Sequence, residues 1–116
     1  MNITTFVDKS TFRKMNKGQV CPSGTGIASE SRCLEAHEQA SSLALNPQRP
    51  LQNGPWDDLP YQCSAQVKGD DTFHFNTNSG SNNDRFDTGE FVMICETGKT
   101  INRVVFSGST FKNKSF

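Results

Sequence analysis

Four cysteines, at positions 21, 33, 63 and 95, constrain this chain more than any other feature. They sit in a polar sequence. Only 33% of the 116 residues are apolar, against roughly 45–50%, glycine included, in an ordinary globular domain. A chain of this length folds as one domain with a modest core, so it needs cross-links or a partner surface to compensate. An even cysteine count in a small, loop-rich chain reads as two disulfides, and hence as an oxidising compartment. Successive spacings of 12, 30 and 32 residues contain no C-x-x-C pair, which argues against a structural zinc site.

Charge narrows the partners. Twelve basic and twelve acidic residues cancel, so no net field favours nucleic acid or an anionic membrane. No run approaches the ~20 consecutive apolar residues of a membrane helix. Met1-Asn2-Ile3-Thr4 opens a mixed polar segment without an apolar h-region, so no signal peptide is expected within this chain. Disulfides without a leader imply a processed or partial product, a chain expressed without its leader, or oxidation after release, as on a virion surface. The expected location is secreted, cell-surface or organelle-luminal. Asn2-Ile3-Thr4 and Asn113-Lys114-Ser115 match the glycosylation acceptor pattern.

Residues 1–20 read as an N-terminal arm, with a short strand near Ile3–Val7 followed by a loop. Its basic cluster, Arg13, Lys14 and Lys17, reads as a solvated face. Cys21-Pro22-Ser23-Gly24-Thr25-Gly26 is turn-rich and lacks the lysine and Ser/Thr of a phosphate-binding loop. A helix follows. Ser29 suits its N-cap and Glu30 its positive end. Cys33, Ala36, His37, Ala40, Leu43 and Ala44 recur at helical spacing as one apolar stripe, and Asn46-Pro47 closes it. His37 reads as a packed histidine rather than a metal ligand.

Residues 46–60 hold four of the five prolines and the only tryptophan, Trp56, and read as a long surface connection. From Cys63, alternation of Cys63, Ala65 and Val67 with Ser64, Gln66 and Lys68 predicts a half-buried strand. Gly69-Asp70-Asp71 supplies a turn into a second strand carrying Phe73 and Phe75, so a hairpin is expected. It leaves His74 and Asn76 together on the face away from the core. Residues 77–90 are too polar to form core and read as a loop. Phe91–Cys95 is apolar throughout, as in a strand covered on both faces. After a turn at Glu96–Lys99, Ile101–Phe106 reads as another strand, and the rest as a tail. The core module is therefore expected over 21–96, with a C-terminal strand and tail over 97–116.

The fold class that follows is α+β: one helix packed across a small antiparallel sheet, stapled by two disulfides. Three pairings of the four cysteines exist. Cys33–Cys63 is favoured, tying the core-facing helix cysteine to the hairpin. Cys21–Cys95 then ties the start of the module to its apolar strand.

The order of the turn cysteine, Ser-Glu-Ser-Arg-Cys-Leu-Glu-Ala, Leu-Pro-Tyr-Gln-Cys-Ser-Ala-Gln, His-Phe-Asn and Met-Ile-Cys-Glu resembles a small cysteine module of secreted or surface proteins of marine microalgae. It spans Cys21 to Glu96. The nested cysteines also resemble PAN/apple domains, whose helix is stapled to the central strand, although their second helix cysteine is absent here. The resemblance implies protein or carbohydrate binding and supplies no catalytic residue set.

Three functions compete. As a non-enzymatic binding module, the chain would recognise protein or glycan through Trp56, Asp57, Asp58, His74, Asn76, Asn82, Asn83 and Asp84, since indoles suit sugar faces and cations. As a structural subunit of a larger assembly, it would dock Phe6, Phe12, Phe106, Phe111 and Phe116 onto neighbours. As a small hydrolase, it would use His74 with Asp70, Asp71, Asp84, Asp87 or Glu90, although no catalytic motif fixes such a pairing. The bland alternative makes His74 and Asn76 loop anchors. No cofactor is expected. Calcium is the one alternative, through oxygen donors at Asp84, Asp87 and Glu90 beside Asn82 and Asn83, without the EF-hand order.

Overall fold

The hairpin expected from the alternating run near Cys63 forms the middle of the sheet in a computed structural model that describes residues 4–105, with side chains over 11–98. Asn2, Asn113, Phe106, Phe111, Phe116 and the side chain of Phe6 lie outside the described residues. In chain order the elements are β1 (Thr4–Lys14), α1 (Glu30–Glu38), β2 (Gln52–Gly54), β3 (Gln62–Ala65), β4 (Phe73–Asn76), a single-turn α2 (Asp84–Asp87) and β5 (Val92–Val105). The strands lie in the order β1-β5-β3-β4-β2. The fold is α+β.

The chain divides into two compact units. One is Phe12–Thr97, and in the other the described ends, residues 4–11 and 98–105, come together. The larger unit contains the whole of residues 21–96. Phe12 and Met15 are buried, so the loop expected after Val7 is strand instead, and Phe12 is not a free docking group. Met15 N–H donates to Met93 O at 2.9 Å. The turn expected at Glu96–Lys99 is likewise absent. Thr97-Gly98 is compatible with a turn, but β5 runs through it as one strand beside β1.

The sheet is mixed rather than antiparallel. β3 runs antiparallel to β4, with Cys63 opposite Phe75 and Ala65 opposite Phe73, and antiparallel to β5. β2 is parallel to β4, pairing Gln52 with His74 and Gly54 with Asn76. Residues 46–60 are therefore not merely a surface connection. Their prolines hide the strand, because proline is tolerated only at sheet edges and strand ends, and Pro50 and Pro55 bracket this three-residue edge strand.

Ser29 caps α1 as expected, its Oγ accepting from Arg32 N–H at 3.3 Å. The helix is shorter than its stripe implied. It gives way at Gln39 to a 3-10 turn over Ala40–Leu43, where Ser42 Oγ donates to Gln39 O, the local competition that serine offers a helix backbone. Ala44 closes the turn in the left-handed region at φ 59°. Leu45 N–H donates back to Ala40 O, a Schellman-type end. Ala44 is consequently exposed, and Leu45 takes its place in the core.

Cys33, Ala36 and Ala40 pack α1 onto the sheet face that carries Cys63, Ala65, Phe73, Phe75 and Ile94, with Ile27 and Phe12 filling the rim. His37 sits edge-on to Phe73 at 5.3 Å. Both favoured disulfides are present. Cys33–Cys63 joins α1 to β3 with Cα atoms 5.5 Å apart, and Cys21–Cys95 joins the chain before α1 to β5 at 5.6 Å. An Arg32–Glu96 ion pair supports the same junction.

Candidate functional site

Strand alternation puts Ser64, His74 and Asn76 on the sheet face away from α1, and all three are buried. That overturns the half-buried pattern expected of the hairpin, since β4 is buried at every position. The cover comes from residues 55–60, from 77–90, which read as a loop, and from Phe91, which read as the start of a strand. Phe86, Phe91 and Leu59 supply its apolar contacts. Hydrogen bonds supply the rest, which is how a segment too polar to build a core of its own still closes one.

Asn76 is the junction of the two loops and is fully buried. Its Oδ1 accepts from Trp56 N–H at 2.8 Å and from Asn78 N–H at 3.1 Å. Its Nδ2 donates to Trp56 O at 3.0 Å and Leu59 O at 2.9 Å. Two acceptor and two donor positions exhaust a carboxamide. Asn78 Nδ2 adds bonds to Trp56 O and to Asp57 Oδ1. Asn82 N–H and Ser81 Oγ donate to Asp57 O, Arg85 N–H donates to Asp58 O, and Ser81 Oγ also reaches Leu59 O.

Trp56 is held in place by this network yet stays half-buried. Its ring lies over Gly54, where an added Cβ would meet it at 3.5 Å, and edge-on to His74 at 5.2 Å. His74 in turn packs edge-on to Phe91 at 5.0 Å, and the Arg85 guanidinium lies 4.8 Å over the Phe91 ring. Such edge-to-face pairs favour one relative orientation of the rings. His74 Nδ1 lies 3.1 Å from Thr72 O and is placed to donate to it. Burial pushes the imidazole below its ordinary pKa, outweighing the Thr72 hydrogen bond that raises it. His74 is therefore neutral at pH 7.

The carboxylates put forward as catalytic partners or ion ligands are committed elsewhere or lie at the surface. Hydrogen bonds from Thr72 and Arg49 hold the Asp70 carboxyl down at about 2. Asp71 Oδ2 accepts from Asn46 N–H. Glu90 is paired with Arg85 and accepts from Gln66, and the Arg85 bond holds its carboxyl below the usual range. Asp57, Asp84 and Asp87 are exposed, and Asn82 Oδ1 caps Asp84 N–H. Asn83 occupies the left-handed region at φ 63° before α2. Among the described residues no three His, Cys, Asp or Glu side chains cluster closely enough to hold a metal ion.

The fold thus brings Trp56, Asp57, Asp58, His74, Asn76 and Asn82 into one region around the two loops. Asn78, Ser81, Leu59 and Phe91, which the sequence reading passed over, complete it. The repeat Asn76-x-Asn78 within a polar loop was the available signal, because asparagine amides bond nearby backbone in turns. Comparison with family models, with curated proteins and with solved structures finds no match for this chain.

Proposed function

We propose that this is a non-enzymatic, disulfide-stabilised binding module that recognises a carbohydrate, or the surface of a protein, through the Trp56 loop. The observation that supports it is the treatment of the only tryptophan. Its backbone N–H and C=O are both bonded to the side chain of a fully buried asparagine, while its indole is left half-buried. An aromatic fixed before the ligand arrives loses little conformational entropy on binding, and an indole offers an apolar face with an N–H donor at its edge. Exposed Asn53 and Asp57 stand nearby in sequence to supply polar contacts. Protein or carbohydrate recognition is also the use that apple domains make of a helix stapled to a sheet. The two disulfides fit an oxidising environment, and among the described residues no helix is long and apolar enough to cross a membrane. A secreted, surface or luminal setting belongs to the same proposal.

The test is a glycan array with the oxidised chain, followed by titration of any ligand found while tryptophan fluorescence is read. Binding is expected to perturb the single indole, to fall at least about tenfold in Trp56→Ala, and to survive largely in Trp56→Tyr. Absence of any glycan ligand, together with protein binding indifferent to Trp56→Ala, would overturn the reading.

A further inference from the structure

Two of the basic residues at the end of β1 border a cleft. Arg13, Lys17 and Lys68 are exposed and Lys14 is half-buried, and Lys14 and Lys17 line a cleft of about 260 Å³ with Lys68, which comes from the β3–β4 turn. Met15, Val67 and Val92 form its apolar floor. Two contacts position the charges. Lys68 Nζ donates to Thr88 O at 3.2 Å. The stem of Lys17 lies on Gly89, where an added Cβ would come within 2.8 Å of it. Gly89 also adopts φ 79°, so glycine is required there twice over.

Among the described residues these ammonium groups have no acidic partner. The ion pairs among the described residues all use arginine. Glu90, whose backbone carbonyl accepts from Lys68 N–H, has its carboxylate engaged by Arg85 and Gln66. In a chain with no formal net charge, three uncompensated lysines around one concavity make a local positive field rather than a generally basic surface.

We propose that this cleft binds a small sugar carrying a tetrahedral oxyanion ester, sulfate or phosphate. Lysine is a compact point charge without the planar fork with which arginine grips a carboxylate, so three of them around one space select for charge density over planarity. The apolar floor suits the C–H face of a sugar ring. The volume lies just under the roughly 300–1,000 Å³ usual for ligand pockets, which restricts the ligand to about one sugar unit. Of the lining residues only Gly89 lies in the loops around Trp56, and no lysine does, so this site stands or falls independently of the function proposed above.

The experiment is an amide chemical-shift titration of the full oxidised chain at low salt with glucose 6-sulfate, glucose 6-phosphate and glucose. Saturable shifts are expected at residues 14–17, 67–68 and 89 with one or both esters and not with glucose, and the stronger ester identifies the source of the anion. Lys17→Gln/Lys68→Gln is expected to weaken binding about tenfold, as removal of two exposed charges implies, while Trp56→Ala leaves it unchanged. Should the double variant lose its native spectrum, Lys14→Glu provides the same test at a third lining lysine. Equal shifts with glucose, shifts confined to other residues, or full affinity in folded lysine variants would overturn the proposal.

Discussion

At the scale of single residues, the two polar side chains of β4 divide the labour. Asn76 spends all its hydrogen-bonding capacity on the backbone of the covering loops. His74 serves as an aromatic body between Trp56 and Phe91. Its depressed pKa makes stability depend on pH. The unfolded chain binds the proton near the ordinary value of 6.5, whereas the folded chain resists it, so between the two values the unfolded state holds more protons. Stability from this group is complete above about pH 6.5 and falls as pH drops from there toward the folded value. Thermal unfolding of the native chain is therefore expected to show a falling Tm between about pH 6.5 and the folded value. His74→Phe should flatten that slope by removing the titrating group. An unchanged slope would show that His74 does not carry it. The pairing of these two residues on one face was legible in the period-2 pattern. Their burial was not, because nothing in residues 73–76 reports what lies above them.

Among the elements, α1 shows how far local pattern reaches. Its cap, its core-facing Cys33 and its stripe are all readable, since each depends on residues within a turn or two. Its end is not. The 3-10 turn and the left-handed Ala44 depend on Leu45 being drawn into the core, a tertiary demand. An L-residue other than glycine in that region costs roughly 1–2 kcal/mol, of which glycine's extra unfolded-state entropy returns a part. Ala44→Gly is thus expected to stabilise the chain by about 0.5–1 kcal/mol in urea unfolding; destabilisation would show that Ala44 is not left-handed in solution. β2 illustrates the opposite case. Three residues between prolines carry no strand signal of their own, and the edge of β4 makes them a strand.

For the molecule as a whole, two disulfides compensate for the shortage of apolar residues. Cys33–Cys63 closes a separation of 30 residues and Cys21–Cys95 one of 74. By chain entropy each contributes roughly 3.5–4.5 kcal/mol, comparable to the whole stability of a small domain. Cys33, Cys63 and Cys95 are fully buried, but Cys21 is half-buried. Mild reductant is expected to open Cys21–Cys95 first, as followed by alkylation and mass spectrometry. The variant Cys33→Ala/Cys63→Ala should lose about 4 kcal/mol in urea unfolding. Opening of Cys33–Cys63 first would contradict the burial that protects it.

By itself the sequence determined the α+β class, the helix start and the faces of the hairpin strands, and it favoured the pairing of the cysteines that the fold adopts. Each rests on periodicity, on capping or on where a buried cysteine must point. Only the tertiary structure decided that β2 joins the sheet in parallel, that β5 continues through Thr97-Gly98, and that two polar loops roof the second face over Asn76. It also decided that Lys68 lines one cleft with Lys14 and Lys17. The reason is one of range. Local pattern records a residue's preference for its own backbone and one face, whereas hydrogen bonds between loops and charges gathered from distant turns exist only after the chain has closed on itself.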